Sequence, residues 1–305
     1  MSASLPGAGG ARFQAGMLDV PGRFLAASGI EGYDEAAVVL LGLPMDTTTT
    51  FRPGTRFGPS AIREASIGLE EYSPVLDSEI APGEVCDLGD VSLTFGDVEG
   101  SLARIRSVAE GVWHHGKFLV GLGGEHLATL PLVQAAAAAC PGLEVVHLDA
   151  HTDLREDYMG QRLSHASVMR RVAEEVGPGR LWQFGIRSGT REEFRFARHL
   201  YGDLKDLPRV LAPLADRPIY LSVDIDVADP AYAPGTGAPE PGGPTALEVL
   251  DAVRTVARGR LVAMDVMEVA PALDPSGRTA SLAAKLVREA ILARKAPSGG
   301  VTDVG

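Results

Sequence analysis

The sequence predicts an α/β protein built on a parallel sheet that is covered on both faces by helices. Three observations predict it. Apolar, β-branched runs recur along the chain without the polar alternation of a one-sided sheet, helical stretches separate them, and several runs end in acidic residues or histidine. Strands buried on both faces read as continuous apolar runs, and ligands of open α/β sheets bind outside the carboxyl ends of strands.

In chain order, "AAVVLLGLP" (36–44) predicts the first strand and "GPSAIREASIGLEEYS" (58–73) a helix. "EVCDLGDV" (84–91) is a short strand, followed by the amphipathic helix "VEGSLARIRSVAEGVWHHG" (98–116). "KFLVGLGG" (117–124) runs into the helical "HLATLPLVQAAAAAC", and "LEVVHLDA" (143–150) is the next strand. A helix at 165–177, a strand at 181–188 and a strand at 219–227 follow. "ALEVLDAVRTVARG" is helical, "RLVAMDVMEVA" (260–270) a strand and "SLAAKLVREAILARKA" the last helix. No internal repeat or linker divides the chain, so 1–305 reads as one domain with a loose arm over about 1–15 and a frayed tail over about 297–305. The Pro/Gly-dense "ADPAYAPGTGAPEPGGP" (228–244) directly follows a strand and reads as a shaped loop at the sheet edge.

The charge balance is 28 Lys and Arg against 40 Asp and Glu, a net −12. That disfavours nucleic acid, which needs a basic face, and mildly favours cationic ligands. Only Cys86 and Cys140 are present, far apart and outside any CxxC, so a reducing cytoplasm is expected. No apolar run is long enough for a membrane span, and "MSASLPGAGGARFQAG" has no secretory-leader pattern.

"EVVHLDAHTDLRED" (144–157) starts as a core strand and then places Asp149, His151 and Asp153 at every second position. Alternation along a strand would project all three to one face. "SVDID" repeats the device with Asp224 and Asp226, "VGLGGEH" ends in His126, and "MDVMEV" offers Glu268. Taken singly, each histidine is better read as a satisfied core or surface residue. Taken together, four carboxylates in a low-dielectric pocket must protonate or find cations. Two divalent ions would balance four carboxylates, with His126 and His151 as neutral ligands. Carboxylate and imidazole without thiolate favour Mn²⁺ or a similar ion over structural zinc. Two such ions would lower the pKa of a water towards about 7, and no G-x-S-x-G or cysteine motif competes as nucleophile. "GLGG" (121–124) lacks the spacing of a phosphate loop; its glycines predict a close approach of the strand end to the metals.

These motifs resemble the ureohydrolase family of arginases and agmatinases over nearly the whole chain. They are "FRPGTRFGPSAIREAS" (51–66), "GGEH" (123–126), "HLDAHTD" (147–153), "SVDIDVADPAYAPGTGAPEPGG" (222–243) and "MDVMEVAPALD" (264–274), and the wording is most like agmatinases. The resemblance implies a three-layer α/β/α fold with a parallel sheet of about eight strands, a homotrimer or homohexamer, and two Mn²⁺ per subunit. It implies that His126 and Asp153 bind one ion, His151 and Asp226 the other, and that Asp149 and Asp224 bridge them. It places a proton-shuttling histidine on His165 and a guanidinium-binding glutamate on Glu268. Where the family usually has Asp before the metal histidine, this chain has Glu125; strand parity points it away from the metals. Asp265 and His147 read as supporting residues.

The activity this implies is hydrolysis of a small cationic guanidino substrate, agmatine, to putrescine and urea. Either Asp153 or His165 would supply the proton for the leaving amine. Glu156, Asp157 and Tyr158 offer an acidic and aromatic mouth for an ammonium tail, whereas Arg155 and Arg162 would suit a carboxylate, as in 4-guanidinobutyrate. Arginine and formiminoglutamate remain candidates as well. Arg52 and Arg56 could orient substrate, with loop or subunit contacts an equal reading. A deacetylase-like amidohydrolase would keep one zinc and fewer ligands, and a non-catalytic relative would have lost a ligand or Glu268; the full set weighs against both.

Overall fold

The computed structural model describes residues 17–19 and 22–295, so the predicted arm over about 1–15 and tail over about 297–305 lie outside the described residues. The strands are β1 (Leu18–Asp19), β2 (Val38–Leu43), β3 (Tyr72–Ser73), β4 (Ser78–Glu79), β5 (Val85–Val91), β6 (Phe118–Gly123), β7 (Glu144–Leu148), β8 (Leu181–Phe184), β9 (His199–Tyr201), β10 (Ile219–Asp224) and β11 (Leu261–Met267). β3 and β4 form a separate antiparallel pair. The rest form one nine-stranded sheet in the order β1-β5-β2-β6-β11-β10-β7-β8-β9. All neighbours are parallel except β1 on β5. The expected sheet of about eight parallel strands is therefore present, with a two-residue antiparallel strand added at one edge.

The apolar runs explain why both faces are covered. In β2, Val38 and Leu40 join one core, whereas Val39 and Leu41 join the other. The first core packs against α1 (Gly58–Ser66), α6 (Leu207–Leu211), α7 (Ala246–Ala257) and α8 (Arg278–Ala293). The second packs against α2 (Val98–His114), α3 (Thr129–Ala139) and α4 (Val168–Val176). Each face excludes water through its own set of Leu, Ile and Val side chains, the dominant favourable contribution to folding. This is the three-layer arrangement. Among the described residues no helix is long and apolar enough to cross a membrane.

Several elements lacked a sequence signal. β9, α6 and α5 (Arg191–Phe196) were not expected. α5 is a six-residue helix whose start is set by a reciprocal cap: Thr190 accepts from Glu193 N–H and Glu193 accepts from Thr190 N–H. The first predicted helix stops at Ser66, seven residues early, because the chain then turns into the β3–β4 pair.

Candidate metal centre

Four adjacent strands at the middle of the sheet, β6, β11, β10 and β7, bring the predicted residues together at their carboxyl ends. The means differ from simple strand alternation. β7 stops at Leu148, before the first of the three predicted residues. Asp149 Oδ1 then accepts the backbone N–H of His151 at 2.5 Å, and Asp224 Oδ1 accepts that of Asp226 at 2.9 Å. Each i, i+2 pair is thus an Asx turn, in which an aspartate closes a turn on its own backbone. Asp153 lies further on, with φ at +51°. Its carbonyl accepts Met169 N–H and Arg170 N–H, which holds it against the start of α4.

His126 Nδ1 lies 3.3 Å from Asp149 Oδ2, 3.3 Å from Asp153 Oδ2 and 3.1 Å from Asp224 Oδ2. It is buried, yet makes no well-formed hydrogen bond with any of them. A ring nitrogen aimed at three carboxylates in this way is what a shared cation requires. His151 Nδ1 lies 3.0 Å from Asp226 Oδ2 and 3.6 Å from Asp149 Oδ1. Two groups able to hold a metal ion follow, His126, His147, Asp149 and Asp153 in one and Asp149, His151 and Asp226 in the other. Asp149 belongs to both. Asp224 joins them too, with Oδ2 towards His126 and Oδ1 on the Asp226 amide. All six predicted metal-binding side chains therefore converge, and the donor set of carboxylate and imidazole suits a divalent ion.

His147 belongs to the first group by distance, but both its nitrogens are committed. Gln183 Nε2 donates to the Thr152 carbonyl at 2.7 Å and stands 3.0 Å from His147 Nδ1. A carbonyl only accepts, so the amide nitrogen is placed correctly and His147 Nδ1 must accept. Its Nε2–H then donates to Asp149 Oδ2 at 2.7 Å. The supporting role expected of it follows. Asp265 is likewise removed from the cluster, accepting from Tyr220 at 2.6 Å and Ser222 at 2.7 Å.

The electrostatics express the crowding. Burial raises Asp224 well above the usual carboxylate range, reinforced by Asp226 and Asp149. Burial also raises Asp153, to about 6, with Asp149 adding to it. Burial opposes charge on His151, but the adjacent carboxylates of Asp149 and Asp226 push it up to about 12. His126 is held high by the same balance of burial against its three carboxylates.

A cavity of about 300 Å³ opens onto this cluster and is lined by His151, Asp153, Asp224 and Asp226. Glu268 and His165 also line it, so both further predicted residues reach the same space. Glu268, with φ at +65°, accepts His126 N–H on Oε1 at 2.7 Å. Burial pushes its carboxyl up to about 8. Glu156 and Asp157, expected to form an acidic mouth, do not line the cavity: Glu156 pairs with Arg162, Arg170 and Arg171, and Asp157 accepts Gly160 N–H. Tyr158 and Arg155 do line the cavity. Arg56 is paired with Asp46, which favours the plain loop-contact reading. The glycines of "GLGG" serve contacts within the sheet: a Cβ on Gly124 would strike the backbone of Leu43 and Met45.

Sequence reasoning passed over Thr48, Ser222, Gln183 and Glu193, which hold the principal residues in place. The available signals were the run of four threonines at 47–50 and the Thr190-x-x-Glu193 capping pattern.

Comparison with known proteins agrees with this geometry. Residues 36–293 match the arginase family. The agmatinase of Bacillus subtilis (strain 168) is 47% identical over 268 residues, covering 85% of this chain and 92% of that protein. The mitochondrial guanidino acid hydrolase of Homo sapiens is 37% identical over 282 residues, covering 86% and 79%. The solved agmatine ureohydrolase of Thermoplasma volcanium has a TM-score of 0.81 at 35% identity, covering 90% and 94%. With a metal-capable His/Asp cluster at the strand ends and a match spanning most of its length, the chain belongs to the arginase family and is a hydrolase of that family.

Proposed function

We propose that the protein hydrolyses agmatine to putrescine and urea with two Mn²⁺ ions per subunit. The observation that carries this reading is the sharing of Asp149 by two adjacent ligand groups beneath a cavity that Glu268 also lines. His126 and Asp153 would hold one ion, His151 and Asp226 the other, and Asp149 and Asp224 both. When bound, the ions neutralise the carboxylates and supply a nucleophile from water at neutral pH.

The chain's own residues do the rest. Glu268 binds and orients the guanidinium by charge-assisted hydrogen bonds. Asp153 or His165 takes up the proton released by the attacking water and passes it to the leaving amine as the C–N bond breaks. Tyr158 presents its ring to the cavity, a surface suited to the methylene tail and cationic end of agmatine. The resemblance extends the reading to a cytoplasmic homotrimer or homohexamer that makes putrescine for polyamine synthesis.

One observation favours a second substrate. Arg155 lines the cavity and has no carboxylate partner among the described residues, while its guanidinium lies 5.0 Å from the Tyr158 ring centre. A guanidino acid such as 4-guanidinobutyrate could place its carboxylate there. Urea release by the Mn²⁺-loaded protein from agmatine, 4-guanidinobutyrate, arginine and formiminoglutamate separates the readings. A higher kcat/KM on agmatine is expected; preference for an acid would overturn it.

A further inference from the structure

Thr48 links Glu125 to His165. Its backbone N–H and its hydroxyl both donate to Glu125 Oε2, at 2.8 and 2.9 Å, and Thr49 Oγ1 adds a third donor at 3.2 Å. Glu125 is buried. Because Oε2 receives a backbone N–H, it is an acceptor whether or not the other oxygen carries a proton. Thr48 Oγ1 in turn accepts the backbone N–H of His165 at 3.0 Å and stands 3.4 Å from His165 Nδ1.

A threonine hydroxyl has one proton and two lone pairs. The proton goes to Glu125 and one lone pair to the His165 amide. Only a lone pair is left for Nδ1, so that contact forms when Nδ1 carries the hydrogen. A neutral imidazole protonated at Nδ1 has an unprotonated Nε2, in a ring that lines the cavity. Tyr158 holds the ring from another side, edge to face with centroids 5.6 Å apart and planes at 88°. The 3.4 Å separation is long for an N–H···O bond, which makes the tautomer the quantity to measure.

We infer that Thr48 and Glu125 are positioning residues that hold His165 as its Nδ1–H tautomer and so present Nε2 to the cavity as a proton acceptor. This deepens the proposed hydrolase and rests on it for kinetics, but the tautomer can be read without any substrate.

The test uses [¹⁵N]histidine-labelled protein loaded with diamagnetic Mg²⁺ and two-bond ¹H–¹⁵N correlation spectra near neutral pH. Among the 7 histidines, His165 is identified by the signals lost in His165→Asn. The Nδ1–H pattern is expected in the wild type and in Thr48→Ser, and the Nε2–H pattern in Thr48→Val. An Nε2–H pattern in the wild type, or no change in Thr48→Val, overturns the inference. In the kinetic arm, Thr48→Val should lower kcat on agmatine by roughly 10–100-fold, below the full contribution of an acid–base group. KM should stay within about twofold, and the loss should largely vanish on the His165→Asn background. Equal losses in both backgrounds overturn the positioning role. Absence of urea from the wild type with agmatine sinks the agmatine reading instead, and the spectra still decide this one.

Discussion

Glu268 Oε1 accepts the backbone N–H of His126 at 2.7 Å, coupling the carboxylate proposed to grip the guanidinium to a residue proposed to hold metal. In Glu268→Gln the amide oxygen can still accept that N–H, but the negative charge is gone. Bound metal should be unchanged, while kcat/KM for a guanidinium substrate should fall roughly 10–100-fold, the size of a lost charge-assisted hydrogen bond. Elemental analysis beside a urea assay checks it. Full activity would remove Glu268 from substrate binding.

The same residue predicts a pH dependence. Burial pushes the Glu268 carboxyl up to about 8, so it tends towards the neutral acid as pH falls. A guanidinium needs the carboxylate. The value of kcat/KM should therefore climb with pH along a limb ending at or below about 8, since neighbouring cations can only lower it. That limb should be missing in Glu268→Gln, and an identical limb in the variant would assign it elsewhere.

Ser222 predicts a change in metal affinity. Its hydroxyl donates to Asp265 Oδ1 at 2.7 Å, so towards His126 Nε2, 3.0 Å away, it can only accept. His126 must carry its hydrogen on Nε2, which leaves the Nδ1 lone pair facing Asp149, Asp153 and Asp224. Ser222→Ala removes that orientation and should weaken Mn²⁺ binding about 10–100-fold, the usual cost of losing such support. Competition against a chelating dye measures it, and unchanged affinity would discard the role.

Metal binding should also expel protons. Burial opposes charge on His126 and His151, yet the surrounding carboxylates hold both high, and burial keeps Asp224 high as well. Near neutral pH those protons must leave before the same atoms bind a dication. Calorimetry of Mn²⁺ binding in buffers of different ionisation enthalpy should show net proton release, and affinity should increase with pH. A pH-independent affinity would contradict the convergence of these side chains on one ion pair.

The sequence exposed the sheet and the six converging side chains because both follow from local pattern: apolar runs of strand length, and polar residues placed just past their ends. Strand alternation does not account for the i, i+2 spacing. Alternation would need β7 to continue to Asp153, but it ends at Leu148, and the spacing instead marks aspartates that close turns on themselves. What stayed hidden depends on contacts between distant segments. Nothing local to Thr48 or Gln183 points to His165 or His147, which lie 117 and 36 positions away. Glu156 misled for the same reason, because its arginine partners on α4 become neighbours only after folding.

The proposed ligands descend from β6, β7 and β10, with Glu268 just beyond β11, at the centre of the sheet, whereas Thr49, Phe51, Arg155 and Tyr158 reach the cavity from loops. On the proposed reading, ligands at the strand ends and residues facing the substrate tail sit on different segments, except that Asp153 and His165 share the β7–α4 connection with Arg155 and Tyr158. The accepted compound should then change with exchanges at Thr49, Phe51, Arg155 or Tyr158, and hydrolysis should be lost with a ligand at the strand ends.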